Sequence, residues 1–412
     1  MGCAEPSTCR SSTLIDVPHT VLSVVLSDYA STAIVLVRAD GENVVWLDSG
    51  SRAPALVSAL SGDVVMPSMQ LAEGALVLID RYQSDVLTVL PFESPNSPRR
   101  EPATNSQLWQ ADLRGGRTAG TSPNPQDAVA LPDGRWLVSR FNPSVAEVPE
   151  LARGNDLVVI DPASRRITAR IDLRADRDVL GTRFFARPTR LAVLSAEGEN
   201  FVLVGLARLS DFALRETGPG AVALVDVATF PRGEPATGAT TQVLELDGLS
   251  NCGAVAVIPG RVSDGYVLCQ GDAFGADQAR AGIVHVGIEQ GMLIERGRAM
   301  TQAMELPSPG NGLVAIDATH VAYVAHGALS PPLPDRLVVL SGLEAFALLG
   351  EAEAFTLGEG AYDARSARLL VPDGGMRAVR TFTLEGNTWG ERDARLMPLC
   401  VHLPPRQVAV VQ

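Results

Sequence analysis

The sequence predicts an all-β fold, a single seven-bladed β-propeller with four antiparallel strands per blade and a ring closed by N- and C-terminal strands. Three observations predict it. The apolar stretches are short and rich in Val, Leu and Ala, and no long stretch shows helical periodicity. Gly (38 residues) and Pro (28 residues) are plentiful enough to supply turns between many short strands. One strand pattern also recurs seven times along the 412 residues.

The repeating unit is an apolar strand, a turn, a second strand, a variable loop, a third strand often ending in Asp, and a fourth strand. Residues 75–90 read ALVLIDRYQSDVLTVL, and residues 135–173 carry RWLVSRFNPS, an insert and NDLVVIDPASRRITARIDL. Third-strand cores are expected to begin at Val44, Val86, Leu157, Val222, Ile283, Leu337 and Val379, spaced 42 to 71 residues apart. A propeller blade takes about 40–45 residues, so the wider gaps hold loop insertions. One blade cannot bury both faces of its sheet, and stacking copies around an axis supplies the missing partners. The tail RQVAVV at 406–411 reads as one more strand, expected to pair with 21–26 and shut the ring. Residues 1–19 read as a tether and 20–412 as one propeller domain. The turn dipeptides Asp40-Gly41, Asp133-Gly134 and Asp373-Gly374 serve the chain reversals, since Gly accepts positive φ.

The turn YQSD at 82–85 and the turn VIDPAS at 159–164, each between apolar strands, carry a resemblance to the YVTN-type, YncE-like bacterial propellers. That resemblance spans most of residues 20–411 and implies the fold and a periplasmic or surface setting. It brings no catalytic residue set.

All 34 basic residues are Arg, against 47 acids, and the net charge is −13. Such a chain repels phosphate backbones and anionic lipid, and the Arg99–Arg100 pair is too short to reverse this, so no nucleic-acid partner is expected. No apolar run reaches about 18 residues, so no transmembrane helix is expected. The start, Met1-Gly2-Cys3-Ala4, reads as the end of a bacterial lipobox, with Cys3 lipidated and Met1 standing after a removed signal. The expected location is the bacterial cell envelope, periplasmic or anchored to the outer membrane, with the lipid as the only membrane contact. Setting Cys3 aside leaves an even set of four cysteines, as an oxidising compartment favours. Cys252 and Cys269 flank a hairpin turn and are expected to pair. Cys9 and Cys400 lie near the chain ends, which a propeller brings together, and are expected to form a second bridge.

The five histidines, at 19, 285, 320, 326 and 402, show no metal-ligand spacing, and no calcium loop or Gly-x-Ser-x-Gly elbow appears. Neither a metal nor a cofactor is expected. Asp127, Arg190, Asn251 and Asn311 each fall at the entrance of a first strand and are the candidates to line the central funnel. Arg190 suits a metal site poorly. An enzyme of hydrolase or lactonase type using that funnel is the alternative to a non-catalytic binding or scaffold propeller.

The second-to-third loops are expected to be short in blades 1, 2 and 7 (Asp40–Asn43, Tyr82–Asp85 and Asp373–Arg377). They are longer in blades 3 to 6 (Asn142–Asn155, Ala207–Gly220, Gln270–Ala281 and His326–Asp335), raising a wall on half of one face. Three of these loops set an aromatic beside polar groups, the composition of an interface anchor. The residues expected to touch a protein partner, in an envelope or surface complex, are Arg140, Phe141, Asn142, Asp211, Phe212, Asp272, Phe274 and His326.

Overall fold

The computed structural model describes residues 10–11, 21–38, 43–50, 58–67, 75–81, 83–91, 108–117, 121–144, 148–210, 216–230, 236–239, 241–271, 278–307, 309–329, 331–385, 388–390, 397–398 and 401–411. Cys3, Cys9, Asp211, Phe212, Asp272, Phe274 and Cys400 lie outside them, and with them the lipid site and the Cys9–Cys400 pair.

Seven sheets stand around an axis, each an antiparallel meander from the axis outward. Blade 2 begins at Val64–Val65, blade 3 at Pro125–Ala130 and blade 4 at Pro188–Ala196. Blade 5 begins at Ala254–Ile258, blade 6 at Pro309–Ala315 and blade 7 at Ala361–Asp363. The third strands of blades 2 to 7 are Val86–Pro91, Asp156–Asp161, Gly220–Asp226, Ala281–Glu289, Asp335–Ser341 and Ala378–Glu385, where the repeat places them. The helical content among the described residues is three single turns of 3-10 helix.

Blade 1 differs from the expectation by one strand. Its innermost strand is the C-terminal Pro405–Val411, which pairs with Val21–Ser27 from Val21↔Val411 to Leu26↔Pro405. The N-terminal strands are therefore second, third and fourth, and Val44 sits in the fourth strand, Asn43–Asp48, not the third. The connection from Arg38 to Asn43 accordingly joins third to fourth strand. The second-to-third connection of blade 1 is Asp28–Ser31.

Each strand alternates its side chains between two neighbouring blades. In blade 3, Leu137, Leu157 and Val159 pack toward blade 4, while Trp136, Val138, Val158 and Ile160 pack toward blade 2. One apolar cluster fills each of the seven junctions, including Leu22, Val24, Val408 and Val410 against Leu370 and Val379 where the ring closes. Both faces being buried explains why the strands read as unbroken apolar runs and not as alternating ones.

Cys252 and Cys269 form a disulfide, with the sulfurs 2.08 Å apart and both residues fully buried beside the junction of blades 4 and 5. The bridge closes a sequence separation of 17 residues. Replacing both cysteines by Ser is expected to cost about 3 kcal/mol in urea unfolding, and peptide mapping without reductant is expected to recover the 252–269 link.

Candidate functional site at the mouth of the central channel

In a four-stranded meander the first-to-second and third-to-fourth turns share one face, and the second-to-third loops share the other with the crossings between blades. The second-to-third connections of blades 3 to 6 therefore leave their strands on one face, the face of the channel mouth.

The channel is crossed by an ion pair. Arg190, on the first strand of blade 4, reaches the carboxylate of Glu359 at the entry to blade 7 through its Nη2. The other oxygen of Glu359 accepts from Gln407 Nε2 at 3.0 Å. Gln407 is fixed in turn by the backbone of Met66, accepting its N–H at 2.6 Å and donating to its carbonyl at 2.7 Å. Burial opposes the charge of Arg190, but Glu359 and Asp127 outweigh it and hold the guanidinium above its ordinary pKa. Arg190 Nη1 is buried without a hydrogen-bond partner among the described residues. A cavity of about 220 Å³ lies beside this pair, walled by the first strands of blades 5, 6 and 7 and by Gln407–Ala409.

A second cavity of about 220 Å³ opens at the mouth, on blades 6, 7, 1 and 2. Its rim carries Tyr29, His326, Phe355, Arg81 and Arg406, and its floor is Glu359 and Gln407. Asp335, at the start of the third strand of blade 6, shapes this rim. Its buried carboxylate accepts the N–H groups of Gly327, Phe355, Thr356 and Leu357 at 2.7–2.9 Å. Burial lowers the pKa of His326 against the pull of Asp335 and Glu359, so its ring is neutral at pH 7.

Of the expected funnel residues whose side chains are described, Arg190 lines a cavity and Asp127 and Asn251 do not, while the side chain of Asn311 lies outside the description. Asp127 is fully buried between blades 3 and 4, accepting the Leu191 N–H at 2.8 Å. The side-chain amide of Asn251 donates to Gln270 at 2.8 Å, within its own blade. Asn311 lies on the first strand of blade 6. The residues that complete the site, Glu359 and Gln407, were not anticipated. Glu359 precedes the first strand of blade 7, and Gln407 lies in the tail strand, so both occupy funnel-entry positions of the repeat once Pro405–Val411 is counted as a first strand.

Among the expected partner contacts, Arg140 is a correction. It is fully buried, forked onto Asp156 at 2.8 and 2.7 Å, with its remaining nitrogen on the carbonyls of Leu113 and Leu151. It binds the loop to the blade and presents no exposed surface. Phe141 lies 5.0 Å from the guanidinium of buried Arg187, and Asn142 accepts from Arg187 Nη1 at 3.2 Å. Both are half-buried loop supports. His326 lines the mouth cavity, about a third of its side chain exposed.

Among the described residues no group of three or more His, Cys, Asp or Glu stands ready to hold a metal, and no helix is long and apolar enough to cross a membrane. No protein-family model and no curated protein matches the sequence. Solved structures do match. A hypothetical selenium-binding protein from Sulfolobus tokodaii aligns with a TM-score of 0.58 at 10% identity, over 97% of each chain. The periplasmic gluconolactonase of Pseudomonas aeruginosa aligns with a TM-score of 0.51 at 12% identity, over 95% of this chain and 99% of its own. Hydrazine synthase of Kuenenia stuttgartiensis aligns with a TM-score of 0.50 at 11% identity, over 93% and 99%. At such identity the likeness is one of fold: the chain is a seven-bladed β-propeller.

Two outcomes follow from these environments. Arg190→Met leaves Glu359 in the channel without its counter-charge and is expected to cost about 3 kcal/mol in urea unfolding, most of it recovered in the Arg190→Met/Glu359→Leu double variant. Asp85, buried at the entry to the third strand of blade 2, has its pKa pushed up to about 6 by burial, which outweighs hydrogen bonds from Ser122 and Asn124. The folded state thus holds this proton more tightly than the unfolded chain. The group adds stability below about pH 4 and loses it as pH rises through 6. Asp85→Asn is expected to raise Tm at pH 7.5 and to flatten the rise in Tm that the parent protein shows between pH 7 and pH 5.

Proposed function

We propose that this chain is a non-catalytic binding or scaffold propeller that engages a protein partner over its long-loop face. In this reading it is YVTN/YncE-like, exported, and held in the bacterial envelope by a lipid on Cys3. The observation that carries the reading is the apolar surface of that face. Tyr29, Leu329, Leu333, Phe355 and Met376 belong to loops of blades 6, 7 and 1 around the channel mouth, each at least 49% exposed. Leu329 and Leu333 sit on a small hairpin, Ala328–Leu329 paired with Pro332–Leu333, that stands above blade 6. Exposed apolar groups grouped around a channel mouth are what a partner covers. Phe141, Asn142 and His326 contribute from the blade 3 and blade 6 loops, with Asp211, Phe212, Asp272 and Phe274 between them in sequence.

The rival reading, a hydrolase or lactonase-type enzyme using the funnel, rests on Glu359. It is the one acid among the described residues lining either cavity. Its two oxygens are engaged by Arg190 and Gln407, which favours a structural over a chemical task.

The test is capture from native envelope by the tethered propeller, with the Leu329→Ser/Leu333→Ser variant as control. A partner retained by the parent is expected to bind at least about tenfold more weakly to the variant at unchanged Tm, since each lost leucine contact is worth about 1–2 kcal/mol. Equal retention by both proteins overturns the reading. So does turnover of sugar lactones by the parent that Glu359→Gln abolishes.

A further inference from the structure

The cavity at the channel mouth combines three features. Its walls are apolar, formed by Val64, Val65, Val324 and Leu357. Its rim presents two aromatic rings to solvent, Tyr29 at 65% and Phe355 at 49% exposure. Its rim also carries a guanidinium, Arg406, that has no carboxylate partner among the described residues. Arg406 donates Nε to the Ser27 carbonyl at 3.1 Å and Nη1 to the Phe355 carbonyl at 3.4 Å, and its Cζ lies 4.8 Å from the centre of the Tyr29 ring. The other arginine of the rim, Arg81, is neutralised by Asp63 at 2.5 Å. The floor carboxylate, Glu359, is already matched by Arg190.

The backbone that carries the aromatic rings is fixed before any ligand arrives. The Tyr29 N–H donates to Ser27 Oγ at 2.9 Å, and Asp28 accepts the next two N–H groups at 2.9 and 2.8 Å. The Phe355 N–H is fixed on Asp335 at 2.8 Å. Both residues have positive φ, 66° and 62°, a conformation non-glycine residues adopt at some cost. A site preorganised in this way does not spend binding energy on ordering its own loops.

We infer that this mouth cavity is a recognition site for one flat apolar group carrying a carboxylate, the ring seated among Val64, Val65, Val324 and Leu357 between Tyr29 and Phe355, and the carboxylate on Arg406. The size agrees: cavities of about 150 Å³ take up benzene, so one of about 220 Å³ admits a ring system such as indole. The charge agrees as well. A carboxylate supplies Arg406 with the charge-assisted hydrogen bonds that backbone carbonyls only partly replace. A cationic ligand meets Arg406 with no free acid among the described residues to offset it. The neutral ring of His326, 5.8 Å from that of Phe355, adds a further flat surface.

Two sources offer this chemistry, a free aromatic acid and an acidic–aromatic pair on a partner's extended segment. Isothermal titration calorimetry of the full chain separates them with three probes: indole-3-acetate, tryptamine, and the dipeptide acetyl-Asp-Trp-amide. Indole-3-acetate or the dipeptide is expected to bind with Kd of roughly 1 mM or tighter, and tryptamine at least about tenfold more weakly. A tighter dipeptide assigns the site to a partner segment, and tighter indole-3-acetate assigns it to a free acid. Arg406→Gln, Tyr29→Ala and Phe355→Ala are each expected to weaken binding about tenfold. Arg406→Lys, which keeps the charge, is expected to keep the preference over tryptamine. Tm of each variant shows that the ring is intact. Equal binding of tryptamine and indole-3-acetate overturns the inference, as does binding unchanged in both Arg406→Gln and Phe355→Ala, or no binding of either acid. The Leu329→Ser/Leu333→Ser result stands apart from these outcomes, because neither leucine lines the cavity.

Discussion

Every blade of this chain is apolar on both faces of its sheet, so none can stand without a neighbour on each side. The consequence reaches through the whole molecule. Leu137 serves the junction of blades 3 and 4, and its neighbour Val138 serves the junction of blades 2 and 3. Removing one blade would strip two junctions. A linear stack would leave two such surfaces in water, and the ring leaves none. Closure is made by the chain's own end: Pro405–Val411 fills the first place of a blade whose other strands come from residues 21–48. The two ends of the sequence are then bound through seven residues of strand and the cluster around Val24 and Val408.

That closing strand also builds the channel. Its Gln407 turns inward to Glu359 and Met66, and its Arg406 turns toward the mouth between Tyr29 and Phe355. Successive residues of a strand face opposite ways, so one strand supplies both an anchor for the floor and a cation for the rim. The backbone repeats the link, since the Glu359 N–H donates to Arg406 at 2.9 Å and the Val408 N–H donates to Glu359 at 3.0 Å. The mouth cavity is thus a product of the seam, and it lies where blades 7 and 1 meet and not at the blades with the longest loops.

The blade count, the third strands of blades 2 to 7 and the Cys252–Cys269 pair were legible because each rests on local order. Apolar runs of strand length, turn residues and a short hairpin separation are all visible in a linear sequence. The site was only partly legible, because its members come from positions 29, 81, 190, 326, 355, 359, 406 and 407. Arg190 was found through its place at the entry of a first strand. Gln407 occupies the equivalent place in blade 1, hidden because the first strand of that blade is the last in the sequence. Asp127 and Asn251 share the position but not the direction. Asp127 is spent on the Leu191 backbone and Asn251 on Gln270. Strand entry sets where a residue stands, whereas the bonds made by its neighbours set where its side chain points.

The misreading of Arg140 has a physical cause that bears on the whole long-loop face. Arg beside Phe in a loop is the composition of an interface anchor and also that of a loop staple, and the two differ only in what lies around them. Here the staple prevails. Arg140, Arg187 and Arg208 are all but fully buried, and each spends its guanidinium on loop backbone or on a neighbouring side chain. Arg140 joins Asp156 to the carbonyls of Leu113 and Leu151. Arg187 holds the Leu209 carbonyl and Asn142. Arg208 joins Glu245 to the carbonyls of Ala175 and Pro219. A planar group with five fixed donors can satisfy several loop carbonyls at once, which the compact ammonium of Lys cannot do with the same geometry. In a chain with no Lys, long connections are fastened from beneath by arginine. Blades 3 and 4 accordingly turn their loop cations inward. Blades 6, 7 and 1 fasten theirs with Asp335 and Asp28 acting on backbone N–H groups, beside Arg406 on the carbonyls of Ser27 and Phe355, and keep the rings of Tyr29 and Phe355 exposed. The polarity of the fastening group decides which half of the face keeps large aromatic side chains exposed.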